Sequence, residues 1–249
     1  MTRVKRIIVD SVDYIYPGGT GAAVHSINCV LERGEIVALA GPTASGKSTL
    51  GRLVSGLIEP VRGAVYSVDS MGQHAGMKAN ERMCLVGIAC AHPEIQLFAM
   101  TVGEDVAFGP RNQHIPAGDA AVISHHAMQA AGLDPSVYAK RHPYSLSSGE
   151  RRRAAIAGIV ALNRPFYVFD EPTSGLDKSG CLAFLRLLEK LREDNCGIIW
   201  ITHELRLALK TADRIWGMQS GKLILDVKSD QVDLSTLKPL LYNNSIANN

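Results

Sequence analysis

No run of apolar residues in this chain approaches the roughly 20 needed to cross a bilayer, and the opening residues Met1 to Arg6 lack the long apolar core of a signal peptide. The expectation is a chain that stays in the cytosol. Cysteine is scarce: Cys29, Cys84, Cys90, Cys181 and Cys196 are odd in number and contain no C-x-x-C pair. That argues against a disulfide framework or a metal site and leaves reduced, mostly buried thiols. Charge of one sign is also missing. The net charge is +2 and no Lys/Arg block exceeds the triplet Arg151-Arg152-Arg153, so no nucleic-acid partner is expected. Internal repeats and low-complexity segments are absent. What is present is 249 residues, 46% hydrophobic and 20% charged, enough for one large domain or two small ones around a buried core.

The rest of the chain can be ordered around Gly41, Pro42, Thr43, Ala44, Ser45, Gly46, Lys47, Ser48 and Thr49, which fit G-x-x-x-x-G-K-[ST]. This stretch follows the apolar run Ile36 to Ala40 and precedes a helical pattern from Lys47 to Leu57, the strand-loop-helix order of a phosphate-binding loop. Backbone N–H groups of such a loop turn inward on a polyphosphate. Gly41 and Gly46 admit close approach, and the helix N-terminus adds partial positive charge. Lys47 suits the β- and γ-phosphates, and the Ser48 hydroxyl suits Mg²⁺, a hard ion that takes oxygen ligands.

Around the loop, β-branched and alternating patterns predict strands at Val4 to Val12, across Ile27 to Leu31, at Gly63 to Val68 and at Leu85 to Ala89, with a glycine-broken loop from Met71 to Lys78. From about Ala91 prolines divide a run of short helical patterns. Thr101 with Glu104 and Ser147 with Glu150 have the form of capping boxes, so helices are expected to begin there, the second running to Asn163. Phe166 to Phe169 reads as a short strand ending in Asp170-Glu171, Lys178 to Glu193 as a helix, Gly197 to Ile201 as a buried strand followed by His203, and Ile215 to Val227 as a hairpin. The tail after Asp230 is expected to fray. Strands alternating with helices argue a mostly parallel sheet covered on both faces, with sites at the carboxyl ends of its strands.

Three polar clusters fall at such ends: the phosphate loop, Asp170-Glu171 and His203. Two carboxylates after four apolar residues suit phosphoryl chemistry, Asp170 holding Mg²⁺ through water and Glu171 orienting or deprotonating an attacking water. His125-His126 lies on a helical pattern and reads as a solvated face. The Arg151 to Arg153 side chains fan around a helix axis and read as a salt-bridged or interface surface.

With Leu146-Ser147-Ser148-Gly149-Glu150, Ser174-Gly175-Leu176-Asp177 and His203, these motifs resemble the ATP-binding-cassette (ABC) ATPases over essentially the whole chain and in the family's order. Pro93-Glu94-Ile95-Gln96-Leu97-Phe98, followed by Thr101 to Pro110, is similar to the ATPases of energy-coupling factor importers, which energise uptake of vitamins and of cobalt or nickel ions. The resemblance implies an α/β fold with a P-loop NTPase (RecA-like) core of mostly parallel sheet, an antiparallel β subdomain and an inserted helical subdomain. The core is expected over residues 1–90 and 165–227, the helical part over 91–164 and a tail over 228–249.

The resemblance further implies that Tyr16 stacks on adenine, that Gly41 to Thr49 hold the phosphates of ATP, and that Ser48 and Asp170 serve Mg²⁺. Glu171 would be the catalytic glutamate and His203 the switch histidine. Ser147, Ser148 and Gly149 would touch the γ-phosphate held by a second ABC ATPase subunit, in a homodimer or an unlike pair, and Asp177 would belong to a loop crossing that dimer. Pro93, Glu94, Gln96, Leu97 and Phe98 would face a membrane-embedded coupling subunit, placing the chain peripherally on the cytoplasmic face of the cell membrane. A soluble clamp of the cluster-assembly type and a low-turnover regulatory partner of an unlike ATPase remain open as other readings.

Two positions depart from the family pattern. Ala91 stands where a glutamine usually approaches Mg²⁺ and the attacking water, and it has no side-chain oxygen to offer. Ser148 replaces the usual second signature glycine; its N–H remains, but its side chain could crowd a phosphate. With water or His92 filling the gap at Ala91, hydrolysis would be slower or less tightly coupled. Ala91→Gln is therefore expected to raise the rate of Mg²⁺-ATP hydrolysis; an unchanged or lower rate in a steady-state assay counts against this reading.

Overall fold

The computed structural model describes residues 4–19 and 21–242. Strands β1 (Val4–Tyr14), β2 (Val24–Glu32), β4 (Arg62–Asp69) and β5 (His74–Gly76) form an antiparallel sheet in the order β2-β1-β4-β5. Strands β3 (Ile36–Ala40), β6 (Val86–Ala89), β7 (Phe166–Asp170), β8 (Gly197–Ile201), β9 (Arg214–Gln219) and β10 (Lys222–Lys228) form a second sheet in the order β10-β9-β3-β8-β7-β6. Only its β9-β10 hairpin is antiparallel. The fold is therefore α/β with a mostly parallel core sheet, as the alternation of strands and helices predicts.

Strands β3, β6, β7 and β8 are buried at every position. Their apolar runs do not alternate with polar residues because both faces of the sheet are covered. Along β3, Ile36, Ala38 and Ala40 enter one core while Val37 and Leu39 enter the other. Tyr167, Phe169, Ile198 and Trp200 follow the first set, and Phe166, Val168, Ile199 and Ile201 the second. The first core is closed by helices that include α6 (Ser148–Val160), α7 (Lys178–Glu193) and α8 (Leu205–Thr211); the second by α1 (Lys47–Ser55) and the antiparallel sheet.

Between β6 and β7 the described elements are helical: a short 3-10 turn at Pro93–Ile95, α3 (Val102–Asn112), α4 (Ala117–Ala130), α5 (Pro135–Tyr138), a second turn at Pro143–Ser145, and α6. Both capping boxes form. Thr101 Oγ1 accepts from Glu104 N–H and Ser147 Oγ from Glu150 N–H, while each glutamate accepts the cap residue's own N–H. These bonds satisfy donors that the first helical turn leaves open.

Several expectations are corrected. Helix α6 stops at Val160, short of Asn163, whose positive φ of 50° ends the helical path. The segment Met71 to Lys78 contains β5, and α2 (Ala79–Leu85), a polar seven-residue helix without a clear apolar period, takes Leu85 from the strand expected there. Only Cys29 and Cys196 are buried; Cys84 is exposed and Cys90 and Cys181 half-buried. The tail does not fray through the described residues: α9 (Leu234–Tyr242) buries Leu237 and Leu241 and packs on β9. The polar end of the tail lies in 243–249, outside the described residues.

The two sheets are tied by Arg214 of β9. Its guanidinium donates to the Val30 carbonyl of β2, pairs with Glu35 at 3.0 Å and Asp226 at 2.6 Å, and lies over the Trp216 ring. Removing one partner of such a mostly buried cluster strands the remaining charges. Arg214→Ala is expected to cost about 3 kcal/mol in urea unfolding, with Arg214→Lys recovering less than half; a loss below about 1 kcal/mol would show that the cluster is solvated.

Candidate nucleotide site

Leu39 pairs with Ile201 and Ile201 with Asp170, so β3, β8 and β7 end in one row. The phosphate loop leaves one strand, Glu171 follows directly on the second, and His203 stands two residues beyond the third. Burial of all three strands thus puts three distant segments side by side.

Gly41 has φ 152° and Gly46 φ 101°, and a Cβ on Gly41 would run into the Met218 carbonyl of β9. Only glycine fits there. The loop is pinned from outside: Gly221 N–H donates to the Ser45 carbonyl at 3.0 Å, and the Tyr242 hydroxyl of α9 reaches the Gly41 carbonyl at 3.3 Å. Lys47 Nζ donates to the carbonyls of Gly41 and Pro42 at 2.8 and 2.7 Å. Burial lowers its pKa, while the charges of Glu171 and Asp170 act in the opposite direction. A cleft of about 310 Å³ lies over this loop, lined by Tyr16, Ala23 and the residues from Ala44 to Thr49. Tyr16 is partly exposed at its edge, its hydroxyl 3.1 Å from Thr49 Oγ1.

The carboxylate side is built for charge. Asp170 is buried and its Oδ1 has no hydrogen-bond partner among the described residues; Ser45 Oγ is also buried without one. Orphaned buried oxygens carry a desolvation cost that a cation or a donor would relieve. Glu171 holds φ at 51°, a left-handed conformation that costs on the order of 1 kcal/mol for a residue with a Cβ. Its N–H donates to the Ile201 carbonyl, and its own carbonyl accepts from Ser174 N–H and the Arg152 guanidinium. The turn aims the carboxylate at His203, with Oε1 3.0 Å from Nε2. Burial, reinforced by the neighbouring Asp170 charge, pushes Glu171 up to about 6 against the pull of Lys47 and Arg152. Burial, with the Lys47 charge, pushes His203 down. A carboxylate with a proton affinity near neutrality can take a proton from water.

Residues 24–174 match the ABC transporter family model. The chain belongs to the ABC transporter ATPases. This ABC ATPase is 37% identical over 243 residues to the energy-coupling factor transporter ATP-binding protein EcfA2 of Clostridium perfringens, across 94% of this chain and 84% of that one. It is 35% identical over 231 residues to EcfA2 of Streptococcus pneumoniae, across 91% and 82%. The structure of cbiO1 from Clostridium perfringens, part of the ABC transporter complex cbiONQ, superposes with a TM-score of 0.76 at 27% identity over 96% of both chains. The dimeric structure of MJ0796, a bacterial ABC transporter cassette, does so at 0.78 and 25% identity over 90% of this chain and 98% of that one.

Within the cassette, Ser147 is the N-cap of α6 and Ser148 and Gly149 open its first turn. None of them is among the residues lining the cleft over the phosphate loop, and a Cβ on Gly149 would press on the Gly175 carbonyl. Asp177 caps α7 through Gly180 N–H, so one carboxylate oxygen is engaged within its own loop. Gln96 cannot replace the missing glutamine: its amide accepts from Cys90 N–H and donates to the Ile88 carbonyl, stapling the loop that holds Ala91. His125 and His126 are exposed on α4, and among the described residues no cluster of His, Cys, Asp and Glu suits a metal.

The arginine triplet is half-buried. Each side chain takes a backbone carbonyl: Arg151 that of Leu146, Arg152 those of Ala91 and Glu171, Arg153 that of Gly132. Fanning around the axis is right, and the carbonyls reached are ones that only the fold brings within range. Sequence reasoning also missed Tyr242, although Leu234, Leu237 and Leu241 behind Asp233 carry the helical period and cap that could have found it.

With Glu171 as the base, kcat/KM for Mg²⁺-ATP is expected to fall about tenfold per pH unit below about 6, because the carboxyl is then protonated and cannot accept a proton. A profile that stays flat down to pH 5 would place the base elsewhere.

Proposed function

We propose that this ABC ATPase energises a membrane importer of the energy-coupling factor type, for a vitamin or for cobalt or nickel ions, by closing as a dimer on ATP and opening after hydrolysis. The observation that carries the importer reading is an exposed apolar face on the helical part. Ile95, Phe98, Met100 and Phe108 are exposed, Phe98 and Phe108 meet edge to face at 4.7 Å, and a groove of about 250 Å³ runs between them and α6. Exposed apolar side chains gathered with aromatics mark a docking surface, read here as the one that meets the membrane-embedded subunit. In this reading Phe98 and Ile95 face the membrane-embedded subunit; the expectation for Pro93, Gln96 and Leu97 is corrected, since Pro93 and Leu97 are buried and the Gln96 amide turns inward to Cys90 and Ile88, so they shape the segment without presenting a contact. Glu94 belongs to the same segment, though its side chain lies outside the described residues. No helix among the described residues is long and apolar enough to cross a membrane, so the chain would sit on the cytoplasmic face through that partner.

Gly41 to Thr49 would hold the phosphates, with Lys47 turning from its own loop's carbonyls to the β- and γ-phosphates, and Tyr16 would stack on adenine. Ser48 and the orphaned Asp170 would hold Mg²⁺, which supplies charge neutralisation during phosphoryl transfer. Glu171 takes the proton of the attacking water and His203 hydrogen-bonds the γ-phosphate. The free N–H groups at the start of α6 face an anion that the chain's own cleft cannot supply, which favours a second subunit whose nucleotide meets Ser147, Ser148 and Gly149, with Asp177 in the crossing loop.

Ala91 and Ser148 favour a second reading, a low-turnover partner of an unlike ATPase. The deciding measurement is Mg²⁺-ATP hydrolysis over a range of protein concentration, with Glu171→Gln as control, beside co-purification with the coupling subunit. Activity per chain that rises with concentration and vanishes in the control, with capture lost in Phe98→Asp, is the expected result. Binding without hydrolysis at any concentration favours the second reading, and no capture by the membrane subunit overturns the importer.

A further inference from the structure

The carbonyls of Ala91 and Glu171 are 80 residues apart in sequence and are held by one guanidinium. Arg152 Nη2 donates to Ala91 at 3.0 Å, and Nη1 donates to Glu171. The planar fork of arginine can hold two acceptors at once, which a lysine ammonium on a flexible stem does far less rigidly. Each end of this bridge is itself braced. On one side, the Gln96 staple makes Ile88 to Gln96 a closed unit, and Asp105 of α3 accepts the N–H groups of Phe98 and Ala99 at 2.9 and 2.8 Å. The segment leading to Phe98 is therefore bonded back to Ile88 and Cys90, the residues that lead into Ala91. On the other side, Glu171 sits in a left-handed turn that its backbone partners maintain.

We infer that Arg152 is a positioning residue that carries displacement of the 93–98 segment to the backbone of Glu171. Ala91 itself offers this loop no polar side chain, and its carbonyl is the point at which the guanidinium holds the loop. Because Glu171 holds an unfavourable φ, a small shift of its carbonyl re-aims the carboxylate, and misplacement of a reacting group by about 1 Å can cost on the order of a hundredfold in rate. Nucleotide contacts at the phosphate loop do not depend on Arg152. The link should therefore govern turnover and leave binding alone.

The biological consequence rests on the docking reading of Pro93 to Phe98, whereas the link itself is internal to the chain. The test accordingly uses the full chain alone, so its failure leaves docking untouched, and failed co-purification leaves the link untouched. Amide exchange of the peptide spanning 89–99 is followed with and without Mg²⁺ and a non-hydrolysable imido analogue of ATP, in wild type, Arg152→Lys, Arg152→Gln and Arg153→Gln.

The analogue is expected to slow exchange in this peptide about threefold or more in wild type and in Arg153→Gln, and to have no such effect in either Arg152 variant, with its Kd within about twofold throughout. Turnover in the Arg152 variants should fall about tenfold or more at unchanged KM. Wild-type turnover or a wild-type exchange response in Arg152→Lys would overturn the inference, since charge alone would then suffice. Absence of any response in wild type, a raised Kd with turnover intact, or loss of folding in both Arg152 variants by circular dichroism would each overturn it as well.

Discussion

The site depends on one constraint: three neighbouring strands, buried on both faces, must end in the same row. Leu39, Ile201 and Asp170 occupy that row. Parallel strands cannot be joined by a tight turn, so each crossover leaves through a long connection and each strand end becomes a place where backbone turns into solvent-facing loop. Register therefore fixes the relative depth of Lys47, Glu171 and His203. A slip of one residue in β7 would send Asp170 to the opposite face of the sheet and draw the left-handed turn at Glu171 into the ladder. The apolar packing of Trp200, Phe169 and Phe184 beneath these ends is what makes such a slip costly.

Much of this was legible in the sequence because its elements carry local signals that agree with their tertiary roles. Ile36 to Ala40, Gly197 to Ile201 and Lys178 to Glu193 match the observed bounds, since continuous apolar runs or helical periods end there in glycine, charge or a capping residue. The helix start at Ser147 could be read from one hydroxyl and one glutamate three residues apart. By contrast, α2 is short and polar, and its stability comes from Arg82, buried at its inner face and bonded to Met77 and Ile58 carbonyls and to Glu59. Those partners are scattered through the chain, and no window of sequence shows them together.

The same limit explains the arginines after the signature. Periodicity says that Arg151, Arg152 and Arg153 point in three directions; it does not say which carbonyls wait there. Resemblance to the ABC ATPases supplies expected roles for single residues, yet the carbonyls of Ala91 and Glu171 are bonded by a side chain whose sequence context reads as a salt-bridged or interface surface. Backbone acceptors leave little trace in residue identity, because any residue at position 91 or 171 offers a carbonyl.

The two departures from the family pattern bear on the partner when their positions are considered together. Ala91 lies at the end of β6, on the side of this chain's own phosphate loop, whereas Ser148 starts α6 and, in the proposed dimer, serves the nucleotide of the opposite subunit. Two copies of this chain would therefore place both departures in each of their two sites. Paired with an unlike ATPase that has the usual glutamine and glycine, one site would lack only the glutamine and the other would carry only the extra serine side chain. An incremental loss in each site is easier to tolerate than a combined loss in both, since neighbouring defects around one reacting group are seldom independent. An unlike pair would thus spread the two departures over two sites, whereas a pair of like chains would gather both in each.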